Sequence, residues 1–157
     1  MIVGARAATA SDLPALAHLA ASAAAGLGSE RGGPLFLARE LGGGDVGATL
    51  GALAADESAL LAAGTVDEIV LGLAVARLET LEGAPLARLH VIWVEPGARG
   101  VGVGGELVAF VAAWAGSRGA DRVDAYALPG DRATKNLFES AGYSARLIVM
   151  HRAGGAP

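Results

Sequence analysis

One glycine-dense segment follows a strongly apolar run: Val91-Ile92-Trp93-Val94-Glu95-Pro96-Gly97-Ala98-Arg99-Gly100-Val101-Gly102-Val103-Gly104. A buried strand that feeds such a loop, with a helix behind it, makes an anion site. The first turn of a helix has unpaired N–H donors and about half a positive charge from the macrodipole. Glycines let an oxyanion reach those donors with no Cβ in the way. A diphosphate is the natural guest. Two residues before Ile92 stands His90, whose ordinary pKa of about 6.5 suits proton acceptance near neutrality.

Three kinds of phosphate binder share this logic. A Walker loop ends in Gly-Lys-Ser/Thr, whereas Gly104-Gly105-Glu106 stands here. A dinucleotide fold needs G-x-G-x-x-G, which Gly100, Gly102 and Gly105 match, and Asp124 lies about 20 residues on, where a ribose-binding acid belongs. Against it, Glu95–Arg99 separates the strand from the first glycine, and only 52 residues follow Gly105, too few to complete a doubly wound sheet. The third pattern is Arg99-x-x-Gly102-x-Gly104, preceded by Val94-x-Pro96. It resembles the R/Q-x-x-G-x-G/A signature of the GNAT superfamily of acetyl-CoA-dependent N-acyltransferases. The later segment Asp131–Tyr143, DRATKNLFESAGY, resembles that superfamily's fourth helix, often N-x-x-A-x-x-x-Y-E-x-x-G-F. The two motifs stand in the family's order with a strand between them, and the resemblance extends over Leu86–His151. The N-terminal part agrees in element order only.

The resemblance implies an N-acetyltransferase that moves an acetyl group from acetyl-CoA to a primary amine by direct attack on the thioester. The acceptor would be a small molecule or a protein amine. Backbone groups of Ile92, Trp93 and Val94 would run beside the pantetheine arm, with a bulge there splaying the strand from its neighbour. Backbone N–H groups of Arg99, Gly100, Val101, Gly102, Val103 and Gly104 would hold the pyrophosphate. Asp131 stands where many relatives place an asparagine toward the pantetheine arm, and it also suits a helix cap. Phe138 occupies the place of the family's frequent tyrosine beside the thioester and cannot donate a proton. Tyr143 aligns with an aromatic packing position, and Tyr126 is another hydroxyl within the same region. A catalytically weak CoA-binding sensor or partner module of the same fold is the alternative that Phe138 motivates.

An alkylamine of pKa about 10.4 costs about 4.6 kcal/mol to deprotonate at pH 7, whereas protonating a thiolate of pKa about 8.5 returns only about 2 kcal/mol. A base therefore matters more than an acid. His90 is the candidate base. The segment Ala87–Val94 resembles the matching strand of arylalkylamine N-acetyltransferases, where a histidine is implicated in proton removal. Its other possible role is that of a structural strand residue. Glu95, before Pro96, reads as a solvated turn residue.

The elements that must carry these groups follow from periodicity and turn chemistry. Ile2–Arg6 is an opening strand, and Ser11 or Asp12 caps a helix with Pro14 in its first turn. Pro34–Leu41 is a second helix, stopped by Gly42–Gly44, and Val46–Ala55 is open between helix and loop. Ser58–Gly64 and Ile69–Leu78 flank a turn at Val66–Glu68, and Glu79–Ala84 turns the chain again. Leu86–Val94 is a strand, Glu95–Gly105 a loop, Glu106–Ser117 a helix and Arg122–Ala127 a strand. Asp131–Ala141 is a helix closed by Gly142, and Ser144–His151 is the last strand. With the resemblance, this order implies a GNAT-like α/β fold. A mixed, mostly antiparallel sheet of about six to seven strands is expected, flanked by about four helices, as one domain over residues 1–157.

Composition narrows the partners. The chain has 157 residues, net charge −4 and no basic stripe, so no nucleic-acid footprint is expected. Without cysteine there is no disulfide, thiolate nucleophile or zinc-thiolate site, and three scattered histidines show no metal spacing. The most apolar stretch, Leu13–Leu27, is broken by Pro14, His18, Ser22 and Gly26 and is shorter than the ~20 residues of a membrane span. No signal peptide is evident, so a cytoplasmic monomer or homodimer is expected. Alanine and 24 glycines read as coding bias.

Overall fold

Apolar residues alternate between two packed faces along the central strands, and that alternation sets the layers. The computed structural model describes residues 1–42 and 44–155. Its elements are β1 (Val3–Ala7), α1 (Leu13–Gly28), α2 (Gly33–Glu40), α3 (Val46–Ala55), β2 (Ala59–Val66), β3 (Ile69–Leu81), β4 (Ala84–Val94), α4 (Val103–Ser117), β5 (Val123–Ala125) and α5 (Arg132–Ser140). The five strands lie in sequence order, the first four antiparallel and β5 parallel to β4.

Leu61, Ala63, Leu73, Val75 and Val91 face α1 and α3, in one core layer with Leu16, Leu19, Leu50 and Leu53. Leu60, Ala62, Ala74, Ala76 and Ile92 face the other way, toward Val103, Leu107 and Val111 of α4. Under the first turns of α4 the sheet carries no side chain at two facing positions. Gly64 pairs with Gly72 across β2 and β3, and a Cβ on either would stand 2.6 or 2.7 Å from Val103 Cγ1. The start of α4 therefore rests directly on bare backbone. These two glycines, read from composition as bias, are sites of close approach.

Several expectations need correction. The sheet has five strands among the described residues, not six to seven, because Ser144–His151 forms no strand and β5 keeps only three residues of the expected Arg122–Ala127. Among the described residues five α-helices form, one more than the expected about four. The undecided segment Val46–Ala55 is helical, started by Asp45, whose side chain accepts from the Gly47 amide at 3.0 Å. Of the Gly42–Gly44 stop, Gly42 takes the left-handed conformation, and Gly43 lies outside the described residues. The second hairpin is tighter than expected: β3 runs to Leu81 and β4 starts at Ala84, with Glu82 and Gly83 at positive φ in the turn. Helix α4 begins three residues before Glu106, so Val103-Gly104-Gly105 form its first turn rather than a loop. Gly142 closes α5 at φ 91°, as its position requires.

Candidate functional site

The site is built on an irregularity in β4. Val91 opposes Val75 and Leu89 opposes Ala76, so His90 is an extra residue, a β-bulge. The bulge reverses the alternation of the strand: Leu89 before it and Ile92 after it face the same layer. The expected bulge at Ile92–Val94 thus sits two residues earlier, at the candidate base itself. Ile92, Trp93 and Val94 remain regularly paired to Ala74, Leu73 and Gly72 of β3.

His90 is 3% exposed and meets the last residue of α2, Glu40, itself 8% exposed. With the Nδ1–H donating to Glu40 Oε2, the neutral tautomer leaves a lone pair on Nε2. That Nε2 is buried and has no hydrogen-bond partner. Burial pulls the His90 pKa below the ordinary imidazole value; the Glu40 hydrogen bond and charge oppose this, and the Arg88 and Arg77 charges add to it. Arg88 completes the cluster: its Nε donates to the Tyr126 hydroxyl at 2.9 Å, and its other nitrogens lie 3.7 Å from Glu40 and from Glu79. Sequence patterns did not reveal Glu40. It lies 50 residues from His90 and shares no motif with it. Its only signal was an acid at the end of a short, largely apolar helix.

A cleft opens beside His90 because β4 and β5 separate. They pair only over Ala87–Leu89 and Val123–Ala125, followed by one bond from the Tyr126 amide to Leu89 O at 3.3 Å. Beyond it, Ile92–Val94 have no partner strand on that side. The narrow space between them is lined by His90, Ile92, Tyr126, Leu128, Asp131 and Thr134, with helices α1 and α2 also contributing. Asp131 caps α5, accepting from the Thr134 amide at 3.1 Å and from its hydroxyl at 2.6 Å. Phe138 is not on the cleft wall; it is 5% exposed in the core layer under α4, against Tyr143. Burial raises the Tyr143 pKa. Its packing role stands.

At the end of β4 the chain makes a short 3-10 turn over Pro96–Ala98 and enters α4 through Gly102 at φ 107°. The first α4 hydrogen bond runs from Glu106 N to Gly102 O. Among the described residues the amides of Gly100 to Gly105 have no backbone acceptor. Six consecutive free donors at a helix start, with small residues throughout, fit a diphosphate. The Arg99 amide does not belong to this set, since it donates to Pro96 O at 3.4 Å. The Arg99 side chain instead clips loop to strand, donating from Nε to Val94 O at 3.0 Å and lying 4.6 Å over the Trp93 ring. Trp93 packs so closely on α1 that a Cβ at Gly26 would stand 2.2 Å from its indole. Glu95 departs from expectation: one carboxylate oxygen is buried without a partner rather than solvated.

The acetyltransferase (GNAT) family model matches residues 38–143. Among curated proteins no sequence matches. Several solved structures are similar. One is AAC(6')-Iy in complex with the bisubstrate analogue CoA-S-monomethyl-acetylneamine, at TM-score 0.71 and 17% identity over 98% of this chain and 99% of that one. A second is the ribosomal-protein-alanine N-acetyltransferase of Brucella melitensis biovar Abortus 2308, at TM-score 0.70 and 20% identity over 98% and 100%. A third is the aminoglycoside 6'-N-acetyltransferase AAC(6')-IG of Acinetobacter haemolyticus, at TM-score 0.68 and 18% identity over the whole of both chains. At these identities the likeness carries the fold and nothing finer.

Proposed function

As the chain belongs to the acetyltransferase (GNAT) family, we propose that it transfers an acetyl group from acetyl-CoA to a primary amine, with His90 as the base. The observation that carries this is the His90 Nε2 lone pair, buried and unpartnered, on a residue that lines the cleft between β4 and β5. Deprotonating an alkylammonium at pH 7 costs about 4.6 kcal/mol, so a neutral imidazole at the acceptor is the group this reaction most needs. Glu40 holds Nδ1–H and stabilises the charge that arrives when Nε2 takes the proton. The amides of Gly100 to Gly105 hold the pyrophosphate at the start of α4. The unpaired side of Ile92, Trp93 and Val94 receives the pantetheine arm, and Asp131 stands at the far wall of the same cleft. The amine then attacks the thioester carbon, and CoA leaves as the thiolate.

Phe138 cannot protonate that thiolate, and the Tyr126 hydroxyl, held by Arg88, is the donor within the cleft. The buried position of Phe138 also motivates the second reading, a CoA-binding sensor with weak catalysis. The neighbours named for aminoglycoside and ribosomal-protein-alanine acetylation make small polyamines and peptide N-termini the first acceptors to try. Free CoA should appear when acetyl-CoA is mixed with an amine from such a panel, and His90→Ala should abolish its pH dependence near neutrality. Acetyl-CoA binding without thiol release on any amine would favour the sensor, and absence of acetyl-CoA binding would overturn both.

A further inference from the structure

Arg88 stands two residues before His90 on β4 and meets the same carboxylate. Glu40 turns Oε2 to His90 Nδ1, and its Oε1 lies 3.7 Å from Arg88 Nη2. Arg88 Nη1 lies 3.7 Å from Glu79 of β3, and Arg88 Nε donates to the Tyr126 hydroxyl beyond β5 at 2.9 Å. The guanidinium also sits 5.2 Å from the centre of the Tyr126 ring. Each of its three nitrogens is thus directed to a different oxygen, which only a planar fork does well.

This arrangement acts on both ends of the cleft. An imidazole against a buried carboxylate settles either as the neutral ring or as an imidazolium ion pair, and only the first leaves Nε2 able to accept a proton. An opposite charge within about 4–6 Å favours the ion pair. Arg88 offsets that bias: with Glu40 it already sums to zero charge, so a proton on His90 would add an uncompensated charge to a buried site. The shift of His90 follows this order, with burial first, Glu40 opposing it and Arg88 opposing Glu40. The other charged groups nearby are engaged elsewhere. Arg77, opposite Arg88 on β3, lies 3.6 Å from Asp56, Glu79 is on the far side of Arg88, and Asp131 is taken up by Thr134. At Tyr126 the guanidinium is the donor, so the phenol oxygen accepts and its own hydrogen is left for another partner. The His90 and Tyr126 rings both line the cleft, with centroids 6.3 Å apart.

We propose that Arg88 is a positioning residue that sets both poles of the cleft, leaving His90 a free lone pair and Tyr126 a free proton. This rests on His90 and Tyr126 acting as base and acid of acetyl transfer. As the C–N bond forms and the C–S bond breaks, His90 Nε2 takes the amine proton and Tyr126 gives its own to the departing sulfur. The phenolate draws Arg88 from Glu40, and Glu40 is released to the imidazolium. The two charges created are each met by a group already in place.

The ring nitrogens of His90, followed by ¹⁵N NMR on the full chain without acetyl-CoA, report the first pole. Arg88→Gln should raise the His90 titration midpoint by about one pH unit or more. Arg88→Lys, which keeps the charge, should hold the midpoint low, and it decides the matter alone should Arg88→Gln not fold. The acid limb of kcat/KM against pH should move with the midpoint in Arg88→Gln. On the plateau above it, Arg88→Gln and Tyr126→Phe should each lose rate, and the double variant should lose little more than the worse of the two. A midpoint unmoved in Arg88→Gln overturns the proposal, as does one that rises as far in Arg88→Lys, or plateau losses that multiply in the double variant. A midpoint that moves as expected in a chain that transfers acetyl to no amine upholds the hold of Arg88 on His90 and overturns the acetyl-transfer reading instead.

Discussion

His90 has one nitrogen engaged and one free, and the difference between them is what makes it a candidate base. Replacing it with Ala should lower kcat/KM by about 10²- to 10⁴-fold, the usual contribution of a positioned base, as read from CoA release. Glu40→Gln should lower the rate less and leave acetyl-CoA binding intact, because Glu40 acts through the imidazole. The lowered pKa also has a thermodynamic sign. Between its folded value and the unfolded value of about 6.5, the native state binds fewer protons than the unfolded chain. This contribution to stability is whole above pH about 6.5 and is lost as pH falls below it. Urea unfolding from pH 8 to pH 5 should show that decline, and His90→Gln should flatten it. The histidine was legible in the sequence because its type and its place on a strong strand announced it. Its partner was not, because contact between residues 40 and 90 arises only when α2 packs across the bulge.

At the scale of elements, the proposed phosphate cradle depends on where α4 rests. Gly64 and Gly72 lie side by side under Val103 and Leu107, and any side chain there lifts the start of the helix. Gly72→Ala should cost about 1–3 kcal/mol in stability, the range for overpacking, and raise the KM for acetyl-CoA more than it lowers kcat. Chemical denaturation and initial-rate kinetics separate the two effects. The loop itself was legible from its glycines, but the helix boundary was not. Val103, Gly104 and Gly105 have poor intrinsic helix propensity, and packing on the sheet overrides it. The bulge was expected two residues too late for a related reason: register belongs to a pair of strands, and one strand read alone does not display it.

For the whole molecule, the order of strands and helices as far as α5 was readable from periodicity and turn chemistry, with Val46–Ala55 left undecided, whereas the parallel pairing of β5 with β4 was not read from the sequence. The final strand was not realised, because an apolar, branched segment announces a strand without naming its partner. No described helix is long and apolar enough to cross a membrane. Ligand linkage applies to the fold as a unit: acetyl-CoA at a hundred times its Kd should add about 2.7 kcal/mol of stability, visible as a rise in Tm, while NAD should leave Tm unchanged. The contact of Arg99 with Trp93 adds an optical consequence. The chain has two tryptophans, and the indole of this one sits under a guanidinium that borders the phosphate cradle. On the proposed function, an arriving diphosphate should draw that cation from the ring, and the intrinsic fluorescence should shift during a CoA titration. Trp93→Phe should silence the signal, leaving Trp114 as an internal reference, and the chain thereby carries its own label for measuring occupancy without a coupled assay.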